Sequence, residues 1–260
     1  MTMEAQSWRM IAASVGGSGH VRAGLECQDT YLWRKLLGNV FVAAIADGAG
    51  SACFGKQGAH TAVESGVESL AGGADVFRRS ESPAIWQRLF QDALSTAKAA
   101  VEGEATHLGV ESRDLASTLI LVVARPGLVG GAQIGDGAVV VRSSDGSILS
   151  LTHPPAEDSI NTTTFLTSEG AVDSAQIRLW QGIPSHVAAI TDGLQLLALR
   201  MPEGAPHEPF FSPLFKFADE SRDEADAAPR LEGFLRSPRI ASATDDDLTL
   251  LLAVLGPHES

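Results

Sequence analysis

Short apolar runs closed by turn residues recur along this chain, and their length predicts β-strands. Residues 40–46, Val-Phe-Val-Ala-Ala-Ile-Ala, stop at Asp47-Gly48, and residues 118–124 stop at Arg125-Pro126-Gly127. Residues 139–141 and 148–151 flank Asp145-Gly146, a pair that tolerates positive φ and therefore predicts a hairpin. Residues 186–190 end in Thr191-Asp192-Gly193, and the apolar run 248–255 predicts a buried strand.

Two segments carry a helical period instead. Ala59, Ala62, Val63, Gly66, Val67 and Leu70 share one face of the first; Ile85, Leu89, Phe90, Ala93, Leu94, Ala97 and Val101 share one face of the second. Ser82 stands at the N-cap position of that second helix, with Pro83 at its first turn. Strands, then a helix pair, then more strands lack the βαβ alternation of a parallel sheet. An α+β fold of antiparallel sheets with helices packed outside is expected. Residues 201–229 mix prolines and acids with Phe210, Phe211, Phe215 and Phe217, which predicts a short helix against the core. Residues 154–181 are rich in Thr, Ser and Asp around Phe165-Leu166 and Trp180, which suits a partly structured flap. Without a composition shift or an internal repeat, residues 1–260 read as one domain.

Charge then narrows the function. A formal net charge of −13 repels phosphate backbones and anionic lipid, which argues against nucleic-acid and membrane-surface partners. The two cysteines, Cys27 and Cys53, make neither a disulfide framework nor a pair of CxxC zinc motifs, so a reducing compartment is expected. The first ten residues lack the basic start and apolar middle of a signal peptide, and no apolar run approaches the roughly 20 residues of a membrane span. A cytoplasmic location follows as the expectation.

Chemistry concentrates in aspartates. Asp47, Asp136 and Asp192 each precede glycine at the end of an apolar run, and Asp245-Asp246-Asp247 lies just before another. One Asp-Gly is ordinary turn chemistry, as at Asp145-Gly146. Several carboxylates crowded at strand ends repel one another unless cations neutralise them. Oxygen-only ligands select Mg²⁺ or Mn²⁺ over zinc, and the seven histidines form no HxxxH pair. A structural Ca²⁺ loop around Asp245–Asp247 lacks the DxDxDG pattern.

Six segments then form a familiar series: Glu26-Cys-Gln-Asp29, Ala44-Ile-Ala-Asp-Gly-Ala-Gly-Ser51, Ala116-Ser-Thr-Leu119, Ile134-Gly-Asp-Gly137, Ile190-Thr-Asp-Gly-Leu194 and Asp246-Asp-Leu-Thr249. In this order they resemble the motifs of type 2C (PPM-type) metal-dependent protein serine/threonine phosphatases, most of all a bacterial stand-alone branch. The resemblance implies a four-layer α-β-β-α sandwich, two antiparallel sheets each flanked by a helix pair. It implies two Mn²⁺ or Mg²⁺ ions, with Asp47 bridging both, the Gly48 carbonyl on one, and Asp192 and Asp246 completing the partner site. Asp29 would act through water, and Asp136 with Asp192 would hold a third, weaker ion.

The implied reaction is hydrolysis of phosphoserine and phosphothreonine by direct attack of a metal-bridging hydroxide, with Asp47, Asp192 and Asp246 as its catalytic residues. The alternative is a pseudophosphatase, the same fold serving as a phosphoprotein-binding module. Partners would be a phosphorylated protein substrate and a cognate Ser/Thr kinase. Three departures stand out: Ala49 and Ser51 replace the His and Gly of some relatives, and Gly24 stands where relatives place a phosphate-binding arginine. Arg22 and His20 are the nearest phosphate-binding candidates. His153 and Thr118 read as structural, Asn161 as a cap of the flap, and Cys27 and Cys53 as ordinary thiols.

Overall fold

The computed structural model describes residues 6–155 and 163–257, so Asn161 lies outside the described residues. In chain order the first half runs β1 (Gln6–Val15), α1 (Ser18–Ala23), β2 (Thr30–Leu36), β3 (Val40–Ala46), α2 (Gly55–Gly72), α3 (Ala74–Arg79), α4 (Pro83–Leu108) and β4 (Leu119–Arg125). It continues through β5 (Leu128–Ile134), β6 (Ala138–Ser143), β7 (Ile148–Thr152), β8 (Gln176–Gln181) and β9 (Pro184–Ile190). The rest comprises α5 (Gln195–Ala198), the two-residue pair β10 (Leu199–Arg200) and β11 (Ala205–Pro206), α6 (Glu208–Glu220), α7 (Glu224–Leu235), α8 (Pro238–Ala241) and β12 (Leu248–Pro257).

Ten of these strands make two sheets of five, ordered β1-β12-β9-β6-β7 and β2-β3-β4-β5-β8, with every neighbouring pair antiparallel. Three apolar layers glue them. Between the sheets lie Phe41, Ile45, Ile120, Val122, Val187 and Leu251. Outside the second sheet, α2 and α4 pack Val63, Val67, Phe90 and Leu94 onto Val42, Leu121 and Val123. Outside the first, α6 and α7 pack Phe211, Phe215 and Leu231 onto Ala188, Leu250 and Leu252. This is the expected α-β-β-α sandwich. The central strands bury both faces, which is why they read as continuous apolar runs rather than alternating ones. Each fully buried Val, Leu, Ile or Phe contributes about 1.5–3 kcal/mol before entropy is charged against it.

Three local differences from the sequence reading have physical causes. The strand expected from residue 118 starts at Leu119, because the Thr118 N–H and hydroxyl both bond to the Asp47 backbone instead of a sheet partner. Ser82 occupies the N-cap of α4 but its side chain caps nothing. The aromatic segment 201–229 forms α6 and then α7, separated where the Asp223 side chain accepts the Ala225 N–H at 2.8 Å and starts a new helix.

Helix α2 approaches the Ser112–Leu115 turn through Gly58, where an added Cβ would fall 1.9 Å from the Leu115 carbonyl oxygen. That approach fixes the chain leading to Ala116, Ser117 and Thr118. Gly103, in α4, has nothing within 4 Å of its Cβ position. Gly→Ala in a helix gains about 1 kcal/mol of propensity, worth about 2–4 °C in a chain of this size. Gly103→Ala should therefore raise the thermal midpoint by that amount, whereas Gly58→Ala should lower it by about 2 °C or more through overpacking. Paired thermal melts check the opposite signs.

Candidate metal centre

The antiparallel register brings strand ends from both sheets to one end of the sandwich. Thr30, just after Asp29, pairs with Ala46, just before Asp47; Leu119 pairs with Ile134, which leads to Asp136. In the other sheet Ile190, which leads to Asp192, pairs with Leu250 and Ala138. Asp29, Asp47, Asp136, Asp192 and Asp246 thus flank one cleft.

Each turn is pinned by hydrogen bonds. The Asp47 N–H donates to Thr118 Oγ1 at 2.9 Å, the Thr118 N–H donates to the Asp47 carbonyl at 2.8 Å, and the Ala49 N–H donates to the Ala116 carbonyl at 2.9 Å. Gln133 Nε2 donates to the Gly135 and Gly137 carbonyls at 3.1 and 2.7 Å, gripping the Asp136 turn from both sides. Thr191 Oγ1 donates to Asp29 Oδ2 at 2.7 Å while accepting the Thr249 N–H at 3.0 Å. Gly193 leaves room for the Asp247 backbone, since a Cβ there would fall 2.0 Å from its carbonyl oxygen.

The carboxylates perturb one another strongly. Burial, then the charges of Asp29 and Asp192, pushes the Asp47 carboxyl up to about 10. Burial and the charges of Asp136 and Asp246 raise Asp192 to about 7, and burial raises Asp29 to about 6. Asp29 adds to the rise at Asp47 through its charge. Asp246 is exposed at the rim, yet enough protein crowds it that burial raises its carboxyl too. Asp136 accepts the Thr163 hydroxyl at 2.8 Å.

Asp247 separates from this set. It is 1% exposed, and its oxygens accept the Gly17 N–H at 2.7 Å and the Gln28 N–H at 2.6 Å. Its Oδ2 also lies 2.8 Å from His20 Nδ1; the distance is that of an ion pair, although the angle is not that of an aligned hydrogen bond. The other face of His20 looks toward Gly50, with Nε2 3.9 Å from that residue's Cβ position. Arg22 lies farther out, 70% exposed and 3.5 Å from the exposed Asp245. Sequence reasoning passed over Asp247 as a buried organiser; its signal was that only the last member of the acidic triplet abuts the apolar run Leu248–Thr249. His153 Nδ1 donates to the Pro154 carbonyl at 2.8 Å, and its ring packs over Gly204, a structural role.

Hard divalent cations suit these residues. Asp29 Oδ1 is buried without a partner, the donors are all oxygen, and the raised carboxyls mark negative charge that protein groups leave uncompensated. Among the described residues no three acidic, His or Cys side chains converge into a ready-made cage. Mg²⁺ and Mn²⁺ tolerate this, because they keep several waters and take few carboxylates.

Comparison with known proteins agrees with this geometry. A family model described as Protein phosphatase 2C matches residues 16–236. Serine/threonine-protein phosphatase 3 of Escherichia coli (strain K12) is 38% identical over 262 residues, covering 95% of this chain and 98% of the relative. Among solved structures, the catalytic domain of the serine threonine protein phosphatase PstP in complex with 2 manganese ions is 17% identical, with a TM-score of 0.62 over 96% of this chain and 99% of that one. The serine/threonine phosphatase Stp1 from Staphylococcus aureus is 13% identical, with a TM-score of 0.62 over 98% of this chain and 96% of that one. At such identities the two structures speak for the fold.

A carboxyl whose folded pKa is raised binds its proton more tightly in the native state, so its contribution to stability is full below about 4 and is lost as pH rises through the folded value. For Asp29 and Asp192 that loss is complete above about 6 and about 7, and for Asp47 it extends toward about 10. Metal-free protein should therefore melt at lower temperature at pH 8 than at pH 5, and Mn²⁺ should reverse the loss. Asp47→Asn should raise the metal-free midpoint at pH 8 and abolish most of the Mn²⁺-induced shift, as read by thermal melts with and without the ion.

Proposed function

Because the chain belongs to the protein phosphatase 2C family, we propose that its carboxylate cleft is the catalytic centre at which phosphoserine and phosphothreonine side chains of proteins are hydrolysed. The chain is a metal-dependent protein serine/threonine phosphatase. The observation that carries the assignment of the site is the convergence of five strand-end aspartates at one end of the sandwich, where burial above all raises the carboxyls of Asp29, Asp47, Asp192 and Asp246. Nothing favours a catalytically silent binding module.

Asp47 would hold both ions and the Gly48 carbonyl one of them, with Asp192 and Asp246 on the partner ion. Asp29, whose Oδ2 is engaged by Thr191, would act through water, and Asp136 with Asp192 suits a third, weaker ion. Manganese is the metal we favour, since PstP carries two manganese ions. When bound, such ions neutralise phosphoryl charge and lower the pKa of an attacking water.

The chain's own residues do the rest. Asp247 holds His20 at Nδ1, leaving Nε2 toward the 48–51 loop, where it can donate to a phosphoryl oxygen. Arg22 is tied to Asp245 at the exposed rim and contributes less. Water displaces the Ser or Thr oxygen directly, so one P–O bond forms as another breaks and no covalent enzyme intermediate arises. Buried Ala49 follows Gly48, so that position offers no side-chain acid for the leaving alkoxide.

Of the flap expected over residues 154–181, Gln176–Gln181 instead form β8 against β5, and the described residues 163–175 would serve as the flap, joined to the cleft by the Thr163–Asp136 bond, with residues 1–260 acting as one catalytic domain. The substrate is a phosphorylated protein, and a cognate Ser/Thr kinase would supply it. Two free cysteines, Cys27 and Cys53, support a cytoplasmic setting. Among the described residues no helix is long and apolar enough to cross a membrane.

Asp47→Asn and Asp192→Asn should each lower kcat/KM for a phosphothreonine peptide at saturating Mn²⁺ about a thousandfold or more, the equivalent of roughly 4 kcal/mol of transition-state stabilisation. Unchanged turnover in either would remove the assignment of the site.

His20→Ala and Asp247→Asn should raise KM about tenfold with a smaller change in kcat, as expected for loss of one charge-assisted bond to the phosphoryl group. Arg22→Ala should stay within about twofold of the native KM, because exposed ion pairs are worth about 0–1 kcal/mol. The reverse ranking in steady-state kinetics would move the phosphate grip to Arg22.

A further inference from the structure

Away from the carboxylate cleft, α6, α7 and α8 enclose a cavity of about 300 Å³, at the lower end of the roughly 300–1,000 Å³ typical of small-molecule sites. Its floor is Leu214, Leu231 and Ile240, and its walls are the rings of Phe210, Phe217 and Phe234. Two prolines of α6, Pro209 and Pro213, stand beside it; proline cannot donate a backbone hydrogen bond, so they add further apolar lining. An apolar cavity offers water few partners and is poorly satisfied by solvent alone.

Its mouth has a different chemistry. Arg230, Arg239 and His207 line it, and no carboxylate does. Arg230 lies over the Phe217 ring, 4.9 Å from its centroid, and among the described residues neither arginine has a carboxylate partner. In a chain of net charge −13, two unpaired arginines above an aromatic cavity select an occupant with an apolar body and an anionic head.

The cavity is linked through the chain to two of the cleft's acidic segments, both belonging to the sheet that holds β9 and β12. Leu197 lines it from α5, which directly follows the Asp192–Leu194 turn, and Ile240 lines it from α8, whose chain runs on to Asp245 and Asp246. We propose that this cavity is an effector site for a small aromatic carboxylate, whose ring fills the space between α6, α7 and α8 while its carboxylate is held by Arg230 and Arg239. An occupant wedged against Leu197 and Ile240 braces the two segments that carry Asp192 and Asp246. Binding of the carboxylate and of Mn²⁺ is then linked, and each tightens the other by the same factor. The effector role rests on the reading of the cleft as a metal centre; the occupancy of the cavity does not.

Isothermal titration of the full chain with 1-naphthoate, with and without Mn²⁺, tests this. One naphthoate should bind per chain, and Mn²⁺ should tighten it about fivefold or more. Arg239→Glu and, independently, Arg230→Glu should weaken it about tenfold or more with the thermal midpoint unchanged, and naphthalene-1-carboxamide should be weakened likewise. Absence of saturable naphthoate binding, or binding indifferent to both arginine variants, overturns the proposal. Binding that leaves Mn²⁺ affinity unchanged overturns the effector role. Retention on phosphatidylglycerol vesicles without naphthoate binding assigns the arginines to a lipid surface and overturns the proposal as well. Loss of the phosphatase reading would show as absent peptide turnover in the native chain, while the naphthoate titration remained readable.

Discussion

Everything at the working end of this molecule depends on keeping mutually repelling carboxylates close together in a partly dry cleft. Asp47 shows the cost, with a carboxyl driven up to about 10 by burial and by Asp29 and Asp192. Left alone, such groups hold protons, and a protonated carboxyl is a poor ligand for a hard cation. A cation bound here would therefore compete with protons for the same oxygens, which would tie metal affinity to pH. The scaffold's task is to resist the repulsion, and it does so through backbone bonds rather than by surrounding the acids with arginines.

Those bonds form a connected frame. Thr118 fixes the Asp47 turn, Gln133 the Asp136 turn, and Thr191 bridges Asp29 to the Thr249 backbone across the two sheets. Thr249 in turn pairs with Ser14 through their hydroxyls at 2.6 Å. Each anchor is itself on or next to a central strand whose two faces are packed, so displacement of one carboxylate has to disturb the apolar layers. That is the physical content of preorganisation here: the sandwich pays for the geometry before any ion arrives.

The same arrangement explains what could be read from residues alone. Fully buried strands such as β3 and β9 announce themselves as apolar runs, and their terminal Asp-Gly pairs point to one end of the fold because neighbouring strands alternate in direction. Strand β2 is not legible, since Thr30-Tyr-Leu-Trp-Arg-Lys-Leu36 is half-buried except at the exposed Arg34 and Lys35 and shows neither clean alternation nor a clean run. Thr118 looked like packing because its role is local geometry: its hydroxyl is spent on a backbone N–H distant in sequence. The His20–Asp247 contact was illegible for a similar reason. It joins opposite ends of the chain through the adjacency of β1 and β12, and pairing across that separation leaves no periodic trace. His20 was within reach of sequence reasoning only as a nearby cation, whereas the partner that orients it emerged from the fold.

Charge balance determines how a phosphoprotein can be recognised at all. The chain carries a net charge of −13, a field that attracts divalent cations toward an acidic cleft and repels a phosphoryl group from it. Arg22 does little to offset this, because it is exposed and already lies against Asp245. His20 is better placed, but its Nδ1 edge is turned inward against the buried Asp247 side chain, leaving only Nε2 toward Gly50. On the proposed reading, the attraction that captures a phosphoryl group would come chiefly from bound ions, with His20 directing rather than supplying it. A site organised this way would read the phosphoryl group and little else, and discrimination among phosphoproteins would fall to the surface around the cleft, where Val21, Leu25, Phe54 and Leu196 leave apolar side chains exposed beside the motifs that carry the acids.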